Sequence, residues 1–67
     1  MFPDCSIIRH IETGEELMVV FNPKRHLHRI GGSYVPGYFL RPANMPPDTM
    51  HTFSLTQDEC EAMYEKS

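Results

Sequence analysis

The sequence predicts a small α+β domain in which an antiparallel sheet of roughly three to four strands carries one C-terminal α-helix. Short runs rich in β-branched residues, separated by turn residues, fill the first 40 positions and are typical of a meander of hairpins. Residues 56–66 combine capping residues with helical spacing. At 67 residues the chain is long enough for a single domain, residues 1–67.

The first two strands are predicted to form a hairpin. Residues 6–11 are rich in isoleucine, and residues 17–21 form an apolar run that is typical of an interior strand covered on both faces. Gly14 lies in the connecting turn, where glycine adopts positive φ without steric cost. Because side chains alternate along a strand, Leu17, Val19 and Phe21 are expected to share one face.

Residues 22–31 fit two kinds of secondary structure. Asn22, Pro23 and Gly31 would serve as N-cap, first position and C-terminal stop of a short helix. Alternatively, the segment is extended and turns at Gly31-Gly32 into the β-rich residues 33–40. We favour the extended interpretation, because a helix of about eight residues has almost no intrinsic stability.

Prolines limit the next part of the predicted sheet. Pro36 cannot donate a hydrogen bond to a ladder, so the strand over residues 33–40 is expected to be an edge strand or to break at Pro36-Gly37. Residues 41–48 contain three prolines and are expected to form a surface connection with polyproline character. Residues 50–53 are expected to be a last short extended segment.

The C-terminal helix is predicted over residues 57–66. Thr56 and Glu59 fit a capping box, in which the threonine hydroxyl accepts from the Glu59 amide and the glutamate reaches back. A narrow apolar stripe at helical spacing is expected to pack on the sheet. This stripe consists of Cys60, Met63 and Tyr64.

Charge is segregated along the chain, whose net charge is −3. Counting Lys and Arg against Asp and Glu gives −3 for residues 1–23, +4 for residues 24–47 and −4 for residues 48–67. The positive segment also holds tyrosines and histidines, a combination that sites for single-stranded nucleic acid use. The pI near 5.7 is far below that of typical nucleic-acid binders. A surface that binds a host protein is therefore the leading interpretation, with nucleic acid as the alternative.

Two groups of residues are predicted to contact this partner. One is the basic and aromatic middle segment, and the other is the acidic face of the C-terminal helix. An edge strand ending near Pro36 also offers a pairing surface for a second copy, which would give a homodimer. The predicted contact residues are Lys24, Arg25, His26, His28, Arg29, Tyr34, Tyr38, Arg41, Glu61 and Glu65.

No catalytic site, metal site or cofactor is predicted. The chain lacks a phosphate-binding loop and a Gly-x-Ser-x-Gly motif, and its cysteines and histidines do not have the spacing usual in zinc modules. His26 and His28 would project from one face of a strand, but the histidines are expected to be surface groups that gain charge as pH falls. Cys5 and Cys60 are expected to be reduced and buried rather than joined in a disulfide.

Compartment and protein class follow from what the sequence contains. No apolar run approaches the roughly 20 residues that cross a bilayer, and the N-terminus lacks a secretory pattern. The cytoplasm of the host cell is therefore expected, with no membrane partner. In being very short, acidic and methionine-containing, the chain is similar to small accessory proteins of bacteriophages and mobile elements. This resemblance of composition implies binding to one host protein, which is then inhibited or redirected.

Overall fold

The computed structural model describes residues 1–44 and 51–67, and the α+β class is confirmed there. The antiparallel sheet of this part of the chain has six strands, more than the three to four predicted. The prediction of a surface connection over residues 41–48 is wrong for residues 41–42, which belong to a strand. Residues 45–48 of that connection and the first residue of the extended segment predicted over residues 50–53 lie outside the described residues. The elements are β1 (Ile7–His10), β2 (Glu16–Phe21), β3 (Leu27–Ile30), β4 (Ser33–Pro42), β5 (Phe53–Thr56), α1 (Gln57–Met63) and β6 (Tyr64–Lys66).

The long strand β4 holds the sheet together. Its first part, residues 33–36, pairs with β3. Residues 37–40 pair with β5, and residues 39–42 pair with β2. On the far side of β2, β1 pairs with β2 and then with β6, which gives the order β3-β4-β2-β1-β6.

The core forms from alternate residues of the central strands together with α1. The hairpin of β1 and β2 is confirmed, and it places Ile8 opposite Leu17. Because side chains alternate along a strand, Tyr38 and Leu40 of β4 enter the same core. Phe2 and Leu55 pack against its margin. The buried residues of this core are Ile8, Leu17, Val19, Tyr38, Leu40, Cys60 and Tyr64.

A register shift removes Phe21 from the core. Val19 pairs with Leu40, but Phe21 pairs with Phe39, so β2 contains one extra residue, a β-bulge, between these two pairs. Such a bulge turns the following side chain to the other face of the sheet. The prediction that Phe21 faces the same layer as Leu17 and Val19 is therefore wrong, and Phe21 is 38% exposed.

Residues 22–31 are not helical, in agreement with the extended interpretation that we favoured. A turn over residues 23–25 leads into β3, which pairs with β4 through a two-residue turn at Gly31-Gly32. Both glycines have positive φ, +53° and +91°, as this kind of tight hairpin turn requires.

The predicted break at Pro36 is wrong, whereas residues 33–36 pair only with β3 among the described strands, which fits the alternative expectation of an edge. β4 continues through Pro36, which pairs with Leu27, and Gly37, which pairs with Thr56. The proline is accommodated because the strand changes partner here, from β3 to β5. A Cβ on Gly37 would lie 2.7 Å from the Leu55 carbonyl oxygen, so this crossing requires glycine.

The helix is shorter than predicted. Thr56 is its N-cap and accepts from the Glu59 amide, as predicted, but α1 ends at Met63. Tyr64 is extended (φ −125°, ψ 154°) and begins β6, where it pairs with His10. The outer edge of β1 offers unpaired backbone groups, and the last residues satisfy them as a strand. Met63 is consequently exposed rather than part of a buried stripe.

The two cysteines have different surroundings. Cys60 is buried on α1, and burial raises the pKa of its thiol to about 12. Cys5 is exposed, with φ +66°, so the prediction that it is buried is wrong. Its amide donates to the Val19 carbonyl, which ties the backbone of Cys5 to β2. No helix in the described residues is long and apolar enough to span a membrane.

Candidate protein-binding surface

The hairpin of β3 and the first part of β4 displays large apolar side chains at the surface. Leu27 is 56% exposed and Tyr34 is 63% exposed. Arg29 pairs with Tyr34 across the hairpin and alternates with Leu27 along β3, so all three side chains project from one face. We call Leu27, Arg29 and Tyr34 the hairpin patch.

The other face of the hairpin borders an open groove. Ile30, which is 49% exposed, and Val35 form its apolar side. The opposite side is the start of α1, with Asp58 and Glu59. The groove has a volume of about 630 Å³, so apolar surface is accessible on both faces of this hairpin.

The cations predicted to contact a partner are separated by the fold. Arg25 forms an ion pair with Asp4 (3.2 Å) and lies 5.5 Å from the centre of the Phe21 ring. Arg41 lies on the second part of β4, opposite Met18. Within residues 1–44 and 51–67, neither Lys24 nor Arg29 has an ion pair. The hairpin patch therefore contains one cation, Arg29, that no ion pair neutralises within the described residues.

The acidic residues of the predicted helix surface are partly used inside the molecule. Glu65 accepts from Arg9 at 2.9 Å. Glu61 accepts a 2.6 Å hydrogen bond from the Tyr38 hydroxyl and a longer one from Gln57. The hydrogen bond from Tyr38 is the main reason that the pKa of Glu61 is lowered. The segregated charges of the sequence are thus partly neutralised across the fold.

Tyr38 is not a surface residue. Its side chain is fully buried, and its hydroxyl accepts from the Phe2 amide (2.8 Å) while it donates to Glu61. Burial, and then the bond to Glu61, raise its pKa. The prediction that Tyr38 contacts a partner is therefore wrong. The signal that separates it from Tyr34 is its position two residues before the apolar Leu40 on the same strand.

A row of rings crosses the sheet surface at the point where β2, β3 and β4 meet. Phe21 and Phe39 are stacked with their centres 6.0 Å apart, and the His26 ring lies 5.1 Å from Phe39. Arg25 lies over the other end of this row, above Phe21. We call Arg25, Phe21, Phe39 and His26 the aromatic row. Neither phenylalanine was among the predicted site residues, because the bulge that exposes Phe21 has no signal in the local sequence.

Two of the predicted histidines are brought together by a serine. His26 Nε2 lies 3.0 Å and His28 Nδ1 lies 2.7 Å from Ser54 Oγ on β5. All three side chains are half-buried. Burial, and then the neighbouring His28, lower the pKa of His26. These two histidines are therefore not the freely solvated surface groups that the sequence led us to expect, and Ser54 was not predicted.

Comparisons with protein-family models, with curated proteins and with solved structures found no match to this chain.

Proposed function

We propose that the chain is a small non-enzymatic binding protein that engages a host protein through the hairpin patch and inhibits or modulates it. The observation that supports this most is the exposure of Tyr34 and Leu27 beside Arg29 on one hairpin face. Tyrosine and arginine are enriched among the residues that contribute most to protein interfaces. A contiguous exposed apolar surface in a soluble domain commonly marks an interaction site.

Charge and shape indicate what kind of partner fits. Arg29 and Lys24 have no ion pair in the described part of the chain, so a complementary surface would carry carboxylates around an apolar recess. The recess would receive Tyr34 and Leu27. Such a contact also leaves the groove on the other hairpin face open for a further segment of the same partner.

Capture from a lysate of the host, followed by mass spectrometry, tests this proposal. The immobilised wild-type chain is expected to retain one dominant protein, and Tyr34→Ala is expected to weaken the purified complex by at least about tenfold. Ile11→Ala is the matched control, because Ile11 is equally exposed but lies in the turn after β1. Equal affinity of wild type and Tyr34→Ala for the captured protein would overturn the assignment of the surface.

The aromatic row supports a second candidate function, binding of single-stranded nucleic acid. Stacked rings next to a guanidinium are what sequence-tolerant sites offer to bases and phosphates. Against it, Asp4 already neutralises Arg25. Fluorescence anisotropy with a labelled oligothymidylate at about 50 mM salt tests this function, since such binding weakens steeply as salt rises. No increase in anisotropy at low salt would reject nucleic-acid binding.

We propose that the chain also forms a homodimer. β3 pairs only with β4 among the described strands, so its other edge is available to a second copy, and sedimentation velocity would detect the homodimer. We also propose a cytoplasmic location, which the two unpaired cysteines, Cys5 and Cys60, favour. Fluorescence microscopy of the tagged chain in host cells checks it.

A further inference from the structure

The cluster of His26, His28 and Ser54 has a geometry that the protein-binding proposal does not use. His28 lies in β3 and His26 directly precedes this strand, and both rings project to the side on which Ser54 lies. Each directs one ring nitrogen at the same point, the Ser54 hydroxyl, at 3.0 Å and 2.7 Å. A hydroxyl has one proton, so Ser54 donates to one ring and accepts from the other.

Both ring nitrogens lie within 3.0 Å of the same hydroxyl oxygen, so two nitrogen atoms and one oxygen atom that can bind a metal ion are adjacent. The Phe39 ring packs 5.1 Å from His26 and restricts its rotation. A neutral imidazole exchanges its tautomer readily, which places a lone pair on the inward nitrogen of each ring.

We propose that His26 Nε2 and His28 Nδ1 form a binding site for a late first-row divalent cation, with the Ser54 hydroxyl beside it. Imidazole nitrogens suit Cu²⁺, Ni²⁺ and Zn²⁺, whereas Mg²⁺ and Ca²⁺ prefer oxygen ligands. In the described residues no three His, Cys, Asp or Glu side chains gather at one place. Two imidazoles and an oxygen are therefore what the protein supplies here, and water completes the coordination.

Bound metal would connect two parts of the sheet that are not hydrogen-bonded neighbours. His28 belongs to β3 and Ser54 to β5, and both strands pair with β4. Because a ligand that binds the folded state alone stabilises it, the cation is expected to raise the melting temperature of the chain. This site is independent of the hairpin patch, so its failure would leave the proposed function untouched.

Titration calorimetry and thermal melting with the chlorides of Cu²⁺, Ni²⁺ and Zn²⁺ at pH 7 test the proposal. We expect one equivalent to bind, with affinity falling from Cu²⁺ to Zn²⁺. His26→Ala and His28→Ala are each expected to weaken metal binding by at least about tenfold. Removing a residue that only hydrogen-bonds to a metal ligand already has an effect of this size. His10→Gln is the matched control, because the His10 ring packs on Tyr64 and its Nδ1 accepts two turn amides.

Nitrogen-15 NMR of the imidazoles gives a readout that does not depend on the folding of a variant. On adding Zn²⁺ to the wild-type chain, the resonances of His26 Nε2 and His28 Nδ1 are expected to shift, and those of His10 are expected to stay. Three results would overturn the proposal. The first is that none of the three cations binds at about 1 mM, which corresponds to a weak affinity. The others are that Mg²⁺ has an equal effect, or that only other histidines shift.

Discussion

Replacing Tyr38 with phenylalanine tests the arrangement that joins the start of the chain, β4 and α1. The hydroxyl of Tyr38 donates to Glu61 Oε2 at 2.6 Å and accepts from the Phe2 amide at 2.8 Å. Tyr38→Phe removes one oxygen atom and keeps the ring, which is fully buried in the core. The substitution therefore removes two hydrogen bonds while preserving the packing.

The expected loss of stability follows from the partners of this hydroxyl. A hydrogen bond to a charged group contributes about 1.5–3 kcal/mol, and the Phe2 amide then loses its acceptor. We expect a decrease of about 2–3 kcal/mol in the free energy of unfolding. A core of this size supplies only about 3–5 kcal/mol, so the variant should lose about two fifths of the stability or more.

Urea unfolding followed by circular dichroism measures this effect. With a slope of about 1 kcal/mol per molar urea, the midpoint should fall by about 2–3 M. Tyr34→Phe is the matched control, because Tyr34 is largely exposed, and its effect should stay within about 0.5 kcal/mol. A Tyr38→Phe variant as stable as this control would refute the view that the buried hydroxyl stabilises the fold.

The remaining predictions concern the sheet crossing, the helix start, the carboxylate and the thiols. Gly37→Ala should lower stability by about 1–3 kcal/mol in urea, since the new methyl would meet backbone. Thr56→Ala should cost about 1 kcal/mol through loss of the N-cap, and an unchanged melting curve would contradict this. The pKa of Glu61 is lowered from 4.5 in the folded chain, so the ionised carboxylate stabilises the fold above that value. This stabilisation is lost as pH falls through the lower folded pKa. The difference in urea midpoint between wild type and Glu61→Gln should therefore shrink between pH 6 and pH 3. Ellman's reagent should react quickly with one thiol of the folded chain, and Cys5→Ser should abolish this fast phase, because burial protects Cys60.

Local patterns were sufficient for the elements whose determinants lie close together in sequence. The β1–β2 hairpin follows from an apolar run and a glycine turn, and the start of α1 follows from Thr56 and Glu59. The Gly31-Gly32 turn was strong enough to favour strand over helix for residues 22–31. In each case the residues that decide the structure are near neighbours in sequence, as is usual for hairpin turns and capping boxes.

The features that were missed depend on distant parts of the chain. Tyr64 has helical spacing, yet it becomes a strand because the edge of β1 is available to it. Pro36 stays within β4 because two different strands meet there. The site residues show the same division: the exposure of Tyr34 fits its place near a turn, whereas the contact of Ser54 with two histidines depends on β3 and β5 lying beside β4.

The shared use of β4 by three other strands affects how the molecule tolerates change. β2, β3 and β5 each obtain a ladder of backbone hydrogen bonds from this one segment. An outer strand such as β3 can be altered while the other ladders persist, but damage to β4 disrupts all three at once. Redesign of the binding surface should therefore begin on β3, where an unfavourable substitution disrupts only the pairing with β4 and preserves the other strand pairs.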